Sequence, residues 1–311
     1  MGVSVFFALS GFLITRRLME ERRIDLKDFY RRRAFRILPP IAVYLAVVAV
    51  LGLGLRVIPM DSGQLLASFF FYRNYWTAPG WYTGHFWSLA VEEHFYLLWP
   101  VLLWVVGFRR ARWIAPGLAL AVAAWRVADV RFDWIGRFDP ALRGSLARTD
   151  YRLDTLLFGC AVALVWDDAR VQAVLRRAGG SALALVAAVA SVCCQVWTPA
   201  GYLTMIAALM ALLPAATVAK PASWLGRVLG LPVLVWVGRM SYSLYVWQQL
   251  FLPPNPIGWW QHARWSLAGI FACAAVSYYL VERPAIAFGR VASANADQGA
   301  HERPACTIVE A

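Results

Sequence analysis

Charge is scarce in this sequence. Asp, Glu, Lys and Arg make up 15% of its 311 residues, against about 25% in soluble domains, while 60% are hydrophobic and the mean hydropathy is +0.55. That composition excludes intrinsic disorder and soluble metabolic enzymes and puts the chain in a bilayer. Acidic residues are the scarcer sign: 18 stand against 30 basic, a net charge of +12. With no soluble domain to hold it, nucleic acid is not the partner of that surplus. Anionic lipid or an anionic substrate remains. The five cysteines form no CxxC pair, and all but Cys306 lie in apolar stretches, so neither a disulfide framework nor a metal site is expected. No GxxxxGK[ST] occurs, so ATP is not the expected driver, and no G-x-S-x-G elbow supports a hydrolase. No basic region precedes the first apolar stretch and no small-residue cleavage site follows it, which rules against a cleavable signal peptide.

What is present is a series of long apolar runs. A spanning helix needs about 20 mainly apolar residues, and nine candidates occur, at 3–15, 38–57, 86–107, 113–130, 152–167, 181–198, 202–219, 233–252 and 265–282. The expected fold is all-α, a polytopic membrane helix bundle. Residues 1–286 form the membrane domain, and 287–311 are expected to be a disordered cytoplasmic tail. The stretch around Leu65–Trp76 is apolar but bounded by Asp61 and Asn74, and reads as interfacial or re-entrant.

Basic residues in short loops mark the cytoplasmic side. The 16–36 connection carries nine of them against four acidic residues, which is +5 of the +12, so it is assigned inside. Alternation then accounts for the basic residues at 109–112, 170–177, 220–227 and in the tail. One loop breaks the rule: 131–152, assigned outside, holds Arg131, Arg137, Arg143, Arg148 and Arg152. Either it is a folded polar loop with Asp133, Asp139 and Asp150 as partners, or it has a functional use for positive charge. The same alternation puts Met1 outside, directly before a thirteen-residue apolar segment too short for a typical first span. A tenth helix upstream, leaving both ends cytoplasmic, is therefore expected.

An ionisable group inside a membrane helix is a functional hypothesis by default, and three sets stand out. In Trp87–Tyr96, Ser88, Glu92 and Tyr96 recur at i, i+4 and i+8, so they share one helix face; the alternative is a wet position at headgroup level. In Gly238–Tyr245, Arg239 lies inside an apolar run beside Tyr242 and Tyr245, where a buried arginine would need an anion or carbonyls. In Asp28–Pro40, Arg32, Arg33 and Arg36 have helical spacing before a proline pair. They can converge on one multiply charged group or form a juxtamembrane patch for anionic lipid. His85, His262 and His301 read as ordinary solvated histidines, and His94, beside Glu93, stays open.

Together these segments resemble the acyltransferase 3 family of integral membrane proteins. The resemblance runs in order through Val5–Ile14, Phe29–Pro40, Phe86–Pro100, Asp150–Gly159, Gly238–Tyr245 and Ser277–Pro284. It implies a multi-pass protein of a bacterial cytoplasmic membrane, ten spans, a cytoplasmic acyl-CoA donor such as acetyl-CoA, and a hydroxyl of an extracytoplasmic carbohydrate as acceptor. That acceptor would be met by the membrane domain or by a separate extracytoplasmic transferase. By position, Arg33 and Arg36 fall on the family's Arg-x-x-Arg pair, with Arg32 beside them on the donor side. Glu92 falls on the acid of its Ser-Leu-x-x-x-Glu block and Arg152 on an arginine opening the following segment. With Arg239 these form the expected catalytic set, and Ser88, Tyr96, Tyr242 and Tyr245 are the substrate-side candidates. Two departures stand out. The family's helix carrying a basic residue and, eleven positions on, its catalytic histidine is expected before Phe6. The position after Trp247, commonly histidine, is Gln248, which hydrogen-bonds but cannot shuttle a proton near neutral pH. A transporter or flippase of an anionic glycan precursor, or a catalytically inactive remnant, are the alternative readings.

Overall fold

A computed structural model describes residues 2–21, 23–143, 145–178, 186 and 199–301. Among them there are helices and no strands, as expected when every backbone polar group must be satisfied within its own segment in lipid. The longer helices are α1 (Gly2–Glu20), α2 (Leu26–Ala49, extended by a π turn at Val50–Gly54), α4 (Phe86–Val106), α5 (Phe108–Phe132), α7 (Thr149–Leu164), α9 (Pro199–Ala219), α12 (Ser241–Phe251), α13 (Ala263–Ser277, extended by a π turn at Tyr278–Glu282) and α14 (Arg283–His301). The shorter ones are α3 (Ser62–Phe69), α6 (Trp134–Phe138), α8 (Ala169–Ala178), α10 (Trp224–Leu229) and α11 (Pro232–Arg239). Among the described residues, five continuous helical stretches are long and apolar enough to cross a bilayer: Gly2–Glu20, Leu26–Gly54, Phe86–Val106, Phe108–Phe132 and Arg264–Ser293. The chain is thus an all-α, multi-pass membrane protein. Eight of the nine expected segments fall on helices; 181–198 lies outside the described residues, Val186 aside.

Three expectations change. The arginine block is not a loop, because helix α2 begins at Leu26, capped by Asp25, whose side chain accepts from the Asp28 amide at 3.0 Å. Nor do Pro39 and Pro40 end it. They remove the ladder bonds to the Phe35 and Arg36 carbonyls, a loss that spanning helices tolerate when neighbours compensate. The segment 233–252 is not one helix: α11 stops at Arg239 and α12 starts at Ser241, with Met240 between them off the helical basin. In the region read as a tail, α14 is helical as far as His301.

The chain divides into two compact units. The first comprises Met1–Ile24 and Leu66–Gly238, the second Asp25–Leu65 and Arg239–Ala311. In the first, α1 packs on α7, α9 and α4, and α5 packs on α7 and α9. Glycines set the closest contact. A Cβ on Gly11 would lie 2.1 Å from the Leu156 carbonyl oxygen, and one on Gly159 would lie 2.1 Å from that of Ala8. Small residues let spanning helices approach backbone to backbone, where dispersion replaces the hydrophobic effect as the driving force. Helix α4 turns Leu97, Leu98, Val101, Trp104 and Val105 outward, an apolar face suited to lipid. A single residue, Gly107, joins α4 to α5; its φ of +73° reverses the chain where a Cβ would strain it. In the second unit, α12 and α14 pack on α2, and α12 on α13.

Candidate active site

In the first unit, the helical repeat of α4 buries Ser88, Glu92 and Tyr96 on one face, at 1%, 2% and 2% exposure. None of the three is wet. The Tyr96 hydroxyl lies 2.5 Å from Ser10 Oγ on α1, and Ser88 Oγ donates to the His85 carbonyl. One turn beyond Tyr96, Trp99 Nε1 donates to Thr15 Oγ1 at 2.9 Å. The acid therefore lies on a fully packed, polar-lined face between α1 and α4. Arg152 on α7 is half-buried, and its guanidinium lies 5.2 Å from the centre of the Trp87 ring, next to Ser88. A cation over an aromatic face keeps its charge with little hydration, which suits Arg152 to anionic or oxyanionic groups.

Below this face lies a network that the sequence reading missed. Arg148 is buried where α7 begins. It donates to Asp129 at 2.8 Å and to both oxygens of Asp150, with its guanidinium 4.3 Å from the Tyr151 ring centre. The Tyr151 hydroxyl also donates to Asp129, and Trp125 Nε1 and the Tyr75 hydroxyl donate to Asp150. Burial works against the Arg148 charge, but its bonds to Asp150 and Asp129 prevail and hold its pKa above the usual arginine value. The Tyr75 phenol is pushed up, first by burial and then by the Asp150 carboxylate. Further along α5, fully buried Arg126 pairs with Asp154 at 2.8 Å and also donates to the Tyr151 carbonyl and to Thr204. The missed signal was simple: Arg126, Asp129 and Asp154 are ionisable groups inside apolar runs, each as anomalous there as Glu92.

The loop of five arginines at 131–152 is therefore a folded polar loop in good part. Arg148 pairs with Asp129 and Asp150, Arg143 pairs with Asp133 at 2.5 Å, and Asp139 caps a turn. Two histidine readings are resolved. His85 is buried, not solvated, with its ring against Phe86. His94 Nδ1 lies 2.7 Å from Thr149 Oγ1, which accepts from Asn74, and the ring also bonds the Phe71 backbone. With both sides of its ring engaged, His94 acts as a tether for the segment after α3. That segment is closed by Arg73, which donates to the carbonyls of Trp76, Ala78 and Gly80; burial lowers its pKa.

The second unit holds the arginine block. Asp28 pairs with both Arg31 and Arg32, and Arg31 also donates to Ser293 Oγ. Arg33 is half-buried and Arg36 exposed, one turn apart on α2. The Tyr242 hydroxyl donates to the Ile37 carbonyl at 2.9 Å, beside the carbonyls that the prolines free. Ser243 donates to buried Glu282 at 2.7 Å, and Arg36 acts on Glu282 electrostatically. Tyr245 is half-buried on α12. Arg239 corrects the expectation: it is exposed at the end of α11, a helix that buries none of its residues. Gly238, just before it in the chain, also faces open space, since a Cβ added there would meet nothing within 4 Å. Among the described residues no cluster of three or more His, Cys, Asp or Glu could hold a metal ion.

A model of the acyltransferase domain matches residues 1–282. The chain is 29% identical to the peptidoglycan O-acetyltransferase OatA of Listeria monocytogenes and 29% identical to the putative peptidoglycan O-acetyltransferase YrhL of Bacillus subtilis. Each match covers 91% of this chain and 50% of the relative. It is 30% identical to a putative O-acetyltransferase of Staphylococcus aureus, over 79% of this chain and 45% of that protein. The chain thus spans about half the length of these curated relatives. No solved structure matches it.

Proposed function

The chain belongs to the acyltransferase domain family, and from that premise we propose that it transfers a short acyl group, acetyl in the first instance, from acetyl-CoA to a hydroxyl of an extracytoplasmic carbohydrate. The observation that carries this reading is Glu92, 2% exposed on a helix face shared with Ser88 and Tyr96 and followed in space by Arg152 over Trp87. O-acyl transfer needs a base to take the hydroxyl proton and a positive group for the oxyanion that forms at the carbonyl. Glu92 orients or charge-balances the base, and Arg152 supplies the positive charge. Arg33 and Arg36, one turn apart on α2, hold the phosphates of the donor from the cytoplasmic side. Arg32 contributes through the same helix, and Tyr242 fixes the backbone beside the pair. The carbohydrate class follows from the relatives, whose names specify O-acetylation of peptidoglycan. The protein sits in the bacterial cytoplasmic membrane, its +5 block inside.

The test is Glu92→Gln in the full-length protein, with acetyl transfer from radiolabelled acetyl-CoA to glycan measured in membrane vesicles. The amide keeps the shape and removes the charge, so the rate is expected to fall by about 10²-fold or more, the range of a positioned acid–base group. An unchanged rate rejects the role of Glu92. Absence of any acylated product from the wild-type protein, with labelled glycan moved across the vesicle membrane instead, rejects the enzyme in favour of a transporter.

A further inference from the structure

Buried Glu282 has no task in the chemistry proposed above. It ends the π turn that extends α13, is 2% exposed, and belongs to a turn that packs directly on α2. A carboxylate with so little water around it needs hydrogen bonds and opposite charge from the protein. Ser243 Oγ, fully buried, gives it a hydrogen bond at 2.7 Å, and Arg36 is the opposite charge that acts on it. The start of α12 brings these groups together. Tyr242 and Ser243 are consecutive there; the first donates to the carbonyl of Ile37, next to Arg36, and the second holds Glu282. Two neighbours on one helix thus hold the backbone beside Arg36 and the acid that acts on its side chain. Arg36 needs such a hold, because Pro39 and Pro40 remove the ladder bonds to the Phe35 and Arg36 carbonyls of its own turn. Its side chain is exposed, and a long exposed side chain gives up rotamer freedom when a ligand immobilises it.

We propose that Glu282 is a positioning residue of the donor site: held by Ser243, its carboxylate orients the Arg36 guanidinium from inside the unit and leaves the outer edge of that group turned to the phosphates of the donor. This rests on the donor reading above and adds the residue that sets its geometry. A guanidinium carries several N–H donors in a fixed fork, and a carboxylate engages one edge of it, so an arginine oriented in this way keeps donors for a second anion. Glu282 does not touch the donor. It settles the orientation of Arg36 before the donor arrives, so that binding forfeits less rotamer freedom. The direction of the effect separates this role from its opposite. A carboxylate that only competed with the phosphates for Arg36 would weaken donor binding, whereas one that orients the arginine strengthens it.

The test is a double-mutant cycle on the full-length protein in nanodiscs, with retention of radiolabelled acetyl-CoA measured at equilibrium. Glu282→Gln keeps the shape and an acceptor for Ser243 but removes the charge. The Kd is expected to rise about three- to tenfold, the range for one long side chain that must be ordered on binding. In an Arg36→Ala background the same substitution is expected to change the Kd by less than about twofold, because Glu282 acts only through Arg36. Ser243→Ala, which loosens the carboxylate without removing it, is expected to raise the Kd by a smaller factor; put through the same cycle, it decides the question if Glu282→Gln fails to fold. A lower Kd for Glu282→Gln overturns the positioning role and makes the acid a competitor. An equal rise with and without Arg36 overturns it too, as the mark of a general packing loss, and so does an unchanged Kd when Arg36→Ala alone raises it. If the wild-type protein retains no acetyl-CoA, or if Arg33→Ala with Arg36→Ala leaves the Kd unchanged, the donor reading itself falls, and the role of Glu282 with it.

Discussion

The contact between α1 and α7 offers the sharpest test of the packing. Gly11 and Gly159 face each other's helices so closely that a single Cβ at either would lie 2.1 Å from a backbone carbonyl oxygen, where real Cβ contacts essentially never fall under 3.0 Å. Backbone cannot rotate away as a side chain can, so Gly11→Ala or Gly159→Ala must push the helices apart by about 0.9 Å. A gap of that size forfeits a quarter to a half of the dispersion between the two surfaces, and overpacking of this kind costs about 1–3 kcal/mol. Against it stands the helix-propensity gain of alanine over glycine, about 0.5–1 kcal/mol. The expected net loss is about 1 kcal/mol, or roughly 2–4 °C in Tm at 2–4 °C per kcal/mol for a unit of this size. Because α7 also carries Thr149, Arg152 and Asp154, the shift displaces Arg152 from Trp87, and acyl transfer is expected to fall further than stability alone predicts. The internal control is Gly117→Ala on α5. Nothing lies within 4 Å of a Cβ there, so only the propensity gain applies and Tm is expected to hold or rise. The assay is thermal unfolding of purified protein in one detergent, alongside initial transfer rates. If Gly11→Ala and Gly159→Ala unfold at the temperature of Gly117→Ala, the close approach of α1 and α7 is refuted.

Three further outcomes follow from particular contacts. Arg126→Met leaves Asp154 buried without its cation and is expected to cost about 3–5 kcal/mol, while Arg126→Met with Asp154→Leu recovers most of the loss; chemical denaturation of the two variants distinguishes a buried pair from two independent polar groups. Thr149→Val removes the partner shared by His94 and Asn74, at about 1 kcal/mol per lost bond, and is expected to speed proteolysis between residues 70 and 85 without altering cleavage elsewhere. Arg33→Ala with Arg36→Ala is expected to raise KM for acetyl-CoA at least tenfold with a smaller change in kcat, the pattern of lost uniform binding; an unchanged KM removes the phosphate-binding role.

The all-α, multi-pass class depended little on tertiary structure, since an apolar run of about 20 residues has few other fates in lipid. The inward face of Ser88, Glu92 and Tyr96 was legible for the same reason: residues four apart stand one above another on any α-helix. The misreadings share a different cause. Arg239 was expected to be buried because its neighbours are apolar, but apolar neighbours alone do not bury a residue, and α11 buries none of its own. The 16–36 stretch reads as a connection, yet α2 already spans it from Leu26 and runs on through Pro39 and Pro40.

The sequence alone determined the class of the protein, a multi-pass helical one, and which acid faces inward, because both follow from composition and from the 3.6-residue repeat. Only the tertiary structure decided which charges are paired. Arg148 sits between Asp129 and Asp150, nineteen and two residues away, and Arg126 finds Asp154 and Thr204 on two other helices. A pairing across helices depends on which faces meet and at what distance, and for α1 and α7 that distance is set by two glycines 148 residues apart, which no local pattern encodes. Arg31, Arg32, Arg143 and Arg148 are likewise each fixed against a carboxylate.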